Sequence, residues 1–255
     1  MGKIIGILNQ KGGVGKSTLV INLAMVLYHN LNFKKKSNYV AIYDSDSPQY
    51  SVDALRKEEL NLIENFINDG NSFYSRTLGD IYKQDENNEE NSFKPINIYT
   101  GNIKEVTQNI ELLKSNYDYS IIDVVGTVNT DGYDEDFIKM FDYIIVPTSC
   151  EFEVVRSTCS YVASIIAPIS AVSKMKYGIV FNNVDTTEAS IFKPMIEQLK
   201  ESGYNVLDNI ITRRKKYVRL YVGDSSKGTM STLFPKYEKP FIALMEEVLE
   251  KLNEN

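Results

Sequence analysis

The sequence reads Asn9-Gln10-Lys11-Gly12-Gly13-Val14-Gly15-Lys16-Ser17-Thr18 between an apolar run and a segment with helical periodicity. Glycines let backbone N–H groups approach phosphate oxygens closely, because no Cβ stands in the way. The amino end of the following helix adds partial positive charge at the same place. A strand, a glycine-rich turn and a helix in this order therefore predict a phosphate-binding loop rather than a turn that only caps a helix.

The side chains of this loop suit a nucleoside triphosphate with a magnesium ion. Lys16 can reach the β- and γ-phosphates, and Ser17 offers a hydroxyl to Mg²⁺. A second lysine, Lys11, adds positive charge and can point into its own site or toward another subunit. We expect ATP and Mg²⁺ as cofactors, with these loop residues in contact with the nucleotide: Gly12, Gly13, Val14, Gly15, Lys16, Ser17 and Thr18.

Short apolar, β-branched runs alternate with longer segments of helical period along the rest of the chain. This alternation predicts right-handed βαβ crossovers and a mostly parallel sheet with helices on both faces. We expect one doubly wound α/β domain of the P-loop NTPase type over residues 1–255, with a flexible acidic surface loop at residues 85–92. About seven strands are expected, at Lys3–Leu8, Tyr39–Tyr43, Asn97–Thr100, Tyr119–Ile122, Tyr143–Val146, Tyr177–Phe181 and Val206–Ile211.

Acidic residues follow two of these strands. Asp44 and Asp46 come after Tyr39–Tyr43, and Asp123 ends the run that starts at Tyr119. Because the carboxyl ends of parallel strands meet at one edge of the sheet, these carboxylates are predicted to face the phosphate loop. Asp123 is expected near Mg²⁺, while one of the other two holds a Mg²⁺-bound water and its neighbour orients the attacking water. Farther along, Gly126 would let the backbone approach the γ-phosphate.

Two further features point to ligands. Asn182 follows the strand Tyr177–Phe181, and its amide matches the donor and acceptor edge of adenine. Residues 213–219 are strongly basic, although the net charge of −6 and pI of about 5.1 exclude DNA binding over the whole surface. Lysine and arginine at such a patch neutralise DNA phosphates without sequence preference. The expected DNA contacts are Arg214, Lys215, Lys216 and Arg219; the alternatives are a solvated loop or one that lines the nucleotide base.

The phosphate loop resembles the deviant Walker A motif, KGGxGK[ST], of the ParA/MinD family of ATPases. Further stretches resemble the ParA type: DSDSPQYS, IIDVVGTVN, YIIVPTSCEFEVVRST, IVFNNVD and STLFP. The last four are similar to ParA-type ATPases carried by conjugative elements of Bacteroides-like bacteria. The chain departs from the family pattern at Ser47, which is an extra residue before Pro48-Gln49, and at Val124-Val125, where relatives commonly have two prolines.

The resemblance implies residue roles and a reaction cycle. Lys11 would reach across a homodimer to the partner's ATP, Asp46 would be needed for hydrolysis, Asn182 would lie on the base, and Thr212 and Arg213 would lie near it. Asp44, Asp123 and Ser17 are then the expected Mg²⁺ residues. The ATP dimer would bind DNA without sequence preference, and a ParB-like or transfer-machinery partner protein would stimulate slow ATP hydrolysis during partition or conjugative transfer.

The start of the chain has no secretory signal pattern, and no run of 18 apolar residues is present. With two cysteines in 255 residues, the sequence favours a reducing compartment. We therefore expect a cytoplasmic protein that is nucleoid-associated when it holds ATP, with no membrane partner.

Four other functions remain open on the sequence. A MinD-like membrane-positioning ATPase would need basic residues on its last helix, but Phe241–Leu252 carries Glu246, Glu247 and Glu250 on its polar side, which predicts a helix docked on the core. A metabolic enzyme on the same scaffold would need cluster cysteines or a substrate pocket. A bacterial tyrosine kinase would need a C-terminal tyrosine cluster. A nucleotide-gated binding module would show negligible turnover.

Overall fold

The structure, a computed structural model, describes residues 1–34, 40–68, 70, 96–126, 134–187, 189–221, 228–233 and 238–254. The acidic loop expected at residues 85–92 lies outside these ranges. Six parallel strands form one sheet in the order β3-β2-β4-β1-β5-β6. The strands are β1 (Lys3–Ile7), β2 (Val40–Asp44), β3 (Asn97–Thr100), β4 (Tyr119–Asp123), β5 (Tyr143–Thr148) and β6 (Lys176–Phe181).

Helices cover both faces of this sheet, which confirms the predicted fold class. They are α1 (Lys16–Lys34), α2 (Ser51–Asn68), α3 (Ile103–Asn116), α4 (Glu135–Lys139), α5 (Phe152–Val172, with a π-helical turn at Val162–Ile166), α6 (Ala189–Glu201) and α7 (Lys239–Asn253). Side chains alternate along each strand, so Ile5 and Ile145 pack with α1 and α7. Ile4 and Ile144 pack with α3 and α5 on the other face.

The last helix docks as predicted, but Glu247, which was expected on its polar side, is buried. Its apolar stripe, which includes Phe241, Leu244 and Val248, is buried in the same core as α1. Within the described ranges, one helix is long and apolar enough to cross a membrane by length and composition, namely Phe152–Val172, and a third of its most apolar window is buried. Val155, Val162 and Ile166 of that helix belong to the core on the sheet.

The segment predicted as a strand at Val206–Ile211 forms isolated bridges instead, so the described residues hold six strands where about seven were expected. Parallel pairing with β6 begins at Val206, where the Leu207 amide donates to the Ile179 carbonyl. The next two amides, of Asp208 and Asn209, instead donate to the Glu247 carboxylate on α7, at 2.7 and 3.0 Å. Since alternate amides of a parallel strand face the same neighbour, the loss of the Asn209 amide interrupts the ladder with β6, and this described segment forms isolated bridges.

Strand register places the acidic residues. Asp44 and Asp123 end two neighbouring strands and are direct register partners. On its other side, Asp123 pairs with Ile7, the last residue of β1 before the phosphate loop. The two carboxylates and the loop therefore lie side by side at the carboxyl edge of the sheet, where open parallel sheets bind their ligands.

Candidate nucleotide and magnesium site

The phosphate loop turns between β1 and α1 at two glycines in the left-handed region. Gly13 has φ 75° and Gly15 has φ 86°, values that favour glycine because an L side chain is strained there. The first helical hydrogen bond then runs from the Leu19 amide to the Gly15 carbonyl, at 3.0 Å. The Lys16 ammonium lies 3.5 Å from the Asn9 carbonyl, folded back over the mouth of the loop.

Two buried asparagines fasten the loop to the strands beside it. The Asn9 amide nitrogen donates to the Pro147 carbonyl and to the Thr158 hydroxyl, at 2.6 and 2.9 Å, and its side-chain oxygen accepts from the Lys11 amide. The Asn182 amide nitrogen donates to the Val14 carbonyl at 2.8 Å. Sequence reasoning assigned Asn182 to the base but gave Asn9 no role. The signal that could have identified Asn9 is its place as a polar residue directly after an apolar strand.

We expect Gly15→Ala to destabilise the protein more than Gly13→Ala, by about 1–3 kcal/mol. Both substitutions place a Cβ on a left-handed residue, but only at Gly15 would that Cβ meet a neighbour, 2.4 Å from the Asn182 amide nitrogen. Urea unfolding of the two variants measures the difference. Equal free energies of unfolding would show that Asn182 does not hold the loop in solution.

Asp44 anchors the amino end of α2. It is fully buried, and its Oδ2 accepts from the Val52 amide at 2.7 Å and from the Asp53 amide at 3.2 Å. Burial raises the pKa of Asp44, and these backbone N–H groups oppose the shift. Ser17 joins the same helix, since its hydroxyl lies 2.9 Å from the Ser51 hydroxyl. The start of α2 is therefore held by two predicted magnesium residues.

Asp123 is the unsatisfied group of the site. It is fully buried, and among the residues that the structure describes neither of its carboxylate oxygens has a hydrogen-bond partner. Burial raises its pKa to about 7, the Asp44 charge adds to the rise, and the Ser17 hydroxyl and Lys16 oppose it. A buried carboxylate without a donor is costly unless a cation neutralises it. Together with the Ser17 hydroxyl, Asp123 thus fits a hard divalent ion that prefers oxygen ligands.

A cavity of about 670 Å³ runs along the phosphate loop; Ser17 lines it, whereas the buried Asp44 and Asp123 lie behind its wall. Of the predicted residues, the following line it: Gly12, Gly13, Gly15, Lys16, Ser17, Thr18, Asp46, Asn182, Thr212 and Arg214. Gly126 also lines it, and a Cβ there would lie 3.1 Å from the Lys16 ammonium. The size suits a drug-sized ligand such as a nucleotide. Ser51 and Gln49 also line it without having been singled out.

The basic segment 213–219 divides among several places. Arg214 lines the nucleotide cavity, whereas Arg213 lines a separate cavity of about 700 Å³ beside Gly12 and Gly13. Lys216 forms an ion pair with Glu238 at 2.7 Å. Lys215 and Arg219 are exposed. The 3₁₀ turn Lys215–Val218 explains the division, because its three-residue period points successive side chains to different sides.

Lys11 lies outside the cavity, on the exposed rim of the loop. Its backbone is fixed by Asn9, while its side chain faces solvent beside Gly12. The structure thus brings Lys16, Ser17, Asp44, Asp46 and Asp123 to one site and leaves Lys11 on its outer surface.

The chain matches a known family over most of its length. The sequence profile described as the CobQ/CobB/MinD/ParA nucleotide binding domain matches residues 5–225. The chain belongs to this family. Nucleotide binding is the property that the CobQ/CobB/MinD/ParA description names, and it agrees with the position of the cavity on the phosphate loop. A search among curated proteins found no significant sequence match.

Many solved structures share the fold of this CobQ/CobB/MinD/ParA member, and three of them illustrate the range. A plasmid partition protein from Borrelia burgdorferi is 21% identical, with a TM-score of 0.60 and coverage of 98% of this chain and 100% of that one. ParA of pNOB8 bound to nonspecific DNA is 16% identical, with a TM-score of 0.62 and 99% of both chains covered. Cobyrinic acid a,c-diamide synthase from Mycobacterium smegmatis, with bound ADP and magnesium, is 18% identical, with a TM-score of 0.55 and coverage of 85% and 89%.

Proposed function

We propose that the protein is a ParA-type ATPase that forms a homodimer on ATP, binds DNA without sequence preference and hydrolyses ATP when a partner protein stimulates it. It would serve partition or transfer of a plasmid or conjugative element of the Bacteroides-like kind, in the cytoplasm and on the nucleoid. The pNOB8 ParA, which shares this fold, was solved on nonspecific DNA, and the Borrelia protein is a partition protein.

The observation that carries this proposal is the different position of the two loop lysines. Lys16 lies inside the cavity beside Ser17, whereas Lys11 is displayed on its outer rim. A lysine inside the cavity is enough to neutralise a phosphate of its own nucleotide. An exposed lysine beside the loop glycines can instead contribute to the site of a second copy, so that the γ-phosphate would favour the dimer over the monomer.

The catalytic roles follow from position. Lys16 and the loop amides would hold the phosphates, and Arg214, Thr212 and Asn182 would lie toward the base. Asp46 lines the cavity and would orient the attacking water. Ser17 and Asp123 would hold Mg²⁺, Asp123 directly or through water, with Asp44 behind them at the start of α2. The bound ion would neutralise the charge that develops on the phosphates.

The proposal is tested by size-exclusion chromatography with light scattering, in ATP and in ADP. We expect wild type to be dimeric in ATP and monomeric in ADP, Asp46→Ala to remain trapped as the ATP dimer, and Lys11→Ala to stay monomeric while it still binds ATP. The loss of the dimer follows because Lys11 would supply its charge to the partner's phosphates. A protein that is monomeric in every condition would contradict the proposal.

A further inference from the structure

Helix α2 starts at the proposed magnesium site. Ser51 shares a hydrogen bond with Ser17, and the amides of Val52 and Asp53 donate to Asp44. Any change of ligands at Ser17 or Asp44 therefore acts directly on the first turn of this helix. Five and eight residues farther along, about 7.5 and 12 Å from Ser51 at 1.5 Å per residue, the same helix carries Arg56 and Glu59, which contact another segment.

Arg56 and Glu59 hold the segment 228–233. The Arg56 guanidinium donates to the Thr232 hydroxyl at 2.6 Å, to the Thr232 carbonyl at 2.7 Å and to the Ile96 carbonyl at 2.9 Å. The buried Glu59 carboxylate accepts from the Thr232 amide at 2.8 Å, from the Thr232 hydroxyl and from the Ser231 hydroxyl. Charge-assisted hydrogen bonds of this kind are about twice as strong as neutral ones.

The segment 228–233 in turn holds the basic segment. The Thr229 amide donates to the Lys216 carbonyl at 2.9 Å, and the Met230 amide donates to the Arg219 carbonyl at 3.0 Å. In the opposite direction, the Tyr221 amide donates to the Met230 carbonyl at 2.7 Å. An unbroken series of hydrogen bonds thus runs from the magnesium site, through α2, to the backbone that displays Lys215 and Arg219.

We infer that Arg56 and Glu59 are positioning residues that transmit the nucleotide state from the start of α2 to the basic segment. This inference rests on the proposed function for its DNA readout. In this inference α2 moves as one rigid body, so that a shift of its first turn would move both side chains and the segment they hold. The nucleotide would in this way set the arrangement of Lys215 and Arg219 without touching either.

The inference is tested with Arg56→Met, which removes the three hydrogen bonds but keeps an unbranched apolar stem, and with the nearly isosteric Thr232→Val, which removes only a hydroxyl. Glu58→Gln is the matched control, because Glu58 is an exposed acid on the same helix. Hydrogen exchange is measured in peptides that cover residues 213–221 and 228–233, with Mg²⁺ and either ADP or a non-hydrolysable ATP analogue. Protection of the phosphate loop in each variant reports that nucleotide still binds and that the fold is intact.

In wild type and Glu58→Gln we expect the ATP analogue to change exchange in these peptides by about fivefold or more relative to ADP, on the scale of ordinary coupling between sites. Arg56→Met and Thr232→Val should lose that difference, and the ratio of their affinities for a 30-base-pair duplex in the two nucleotide states should fall by about tenfold. The inference would be overturned if hydrogen exchange in wild type were the same with the ATP analogue and with ADP, or if both variants kept the difference between the two nucleotides. If wild type binds no duplex in either state, the proposed function fails, and the exchange data alone still decide the coupling.

Discussion

In Asp123→Asn protein the expected result is a fold that is more stable without nucleotide and a site that no longer supports hydrolysis. Burial raises the Asp123 pKa to about 7. Above pH 7 this carboxylate is charged in both states, but it is desolvated only in the folded protein. A shift of this size corresponds to at most about 4 kcal/mol, and asparagine removes that penalty. Hydrolysis should slow by about 100-fold or more, because a charge placed for the phosphate site is lost.

The stability gained by Asp123→Asn should depend on pH in one direction. An acid whose pKa is raised on folding destabilises the protein at high pH and not at low pH, where both states are protonated. The stability gained by Asp123→Asn should therefore be full above pH 7 and should shrink as the pH falls toward 4. Urea unfolding in a chelator at several pH values measures it, and the exposed Asp136→Asn is the control. A variant that is less stable than wild type at pH 8, or that keeps Mg²⁺-dependent turnover, would refute the assignment.

The double charge reversal Lys215→Glu with Arg219→Glu should abolish retention of the ATP form on DNA and leave ATP binding unchanged. Both side chains are exposed and neither lines the nucleotide cavity. In a dimer they would offer about four phosphate contacts, each of which contributes about 0.9 to the slope of log affinity against log salt. Their loss should weaken binding by about 100-fold or more at moderate salt. Arg214 is left unchanged because it lines the cavity.

A duplex carrying a fluorescent label, titrated at several salt concentrations in ATP and in ADP, measures this loss. Lys174→Glu with Lys193→Glu is the matched control, because it changes the net charge equally at exposed lysines elsewhere on the surface. Retention by the Lys215 and Arg219 variant that equals wild type at low salt would reject the basic patch. An equal loss in the control would assign the binding to net charge rather than to this segment.

Local chemistry accounts for the parts of the site that sequence reasoning found. Glycines in the order Gly12, Gly13, Gly15 permit one kind of turn between a strand and a helix, and the structure has left-handed φ at the last two. Asp44 and Asp123 could be placed because each ends an apolar strand, and parallel register then brings strand ends together. These inferences depend on residues close in sequence and on a rule that applies to any parallel sheet.

Contacts between distant segments decided the remainder. Nothing near Asn209 in the sequence indicates that Glu247 accepts its amide and interrupts a strand, and nothing near Lys216 indicates that Glu238 neutralises it. Arg214, Lys215, Lys216 and Arg219 were predicted to contact DNA together, but a 3₁₀ turn with Tyr217 buried against Phe241 separates their side chains.

The sequence by itself determined that a triphosphate-binding loop is followed by acidic strand ends in a parallel α/β fold, because glycine freedom, strand composition and helix polarity are local properties. Only the tertiary structure decided which amides donate to Asp44 and Glu59, that Lys11 is exposed while Lys16 lines the cavity, and that Asp123 has no hydrogen-bond donor within the part of the chain that the structure describes. Those outcomes depend on which groups from distant parts of the chain the fold places within hydrogen-bond distance of a buried polar atom. Each such atom can accept only a few hydrogen bonds.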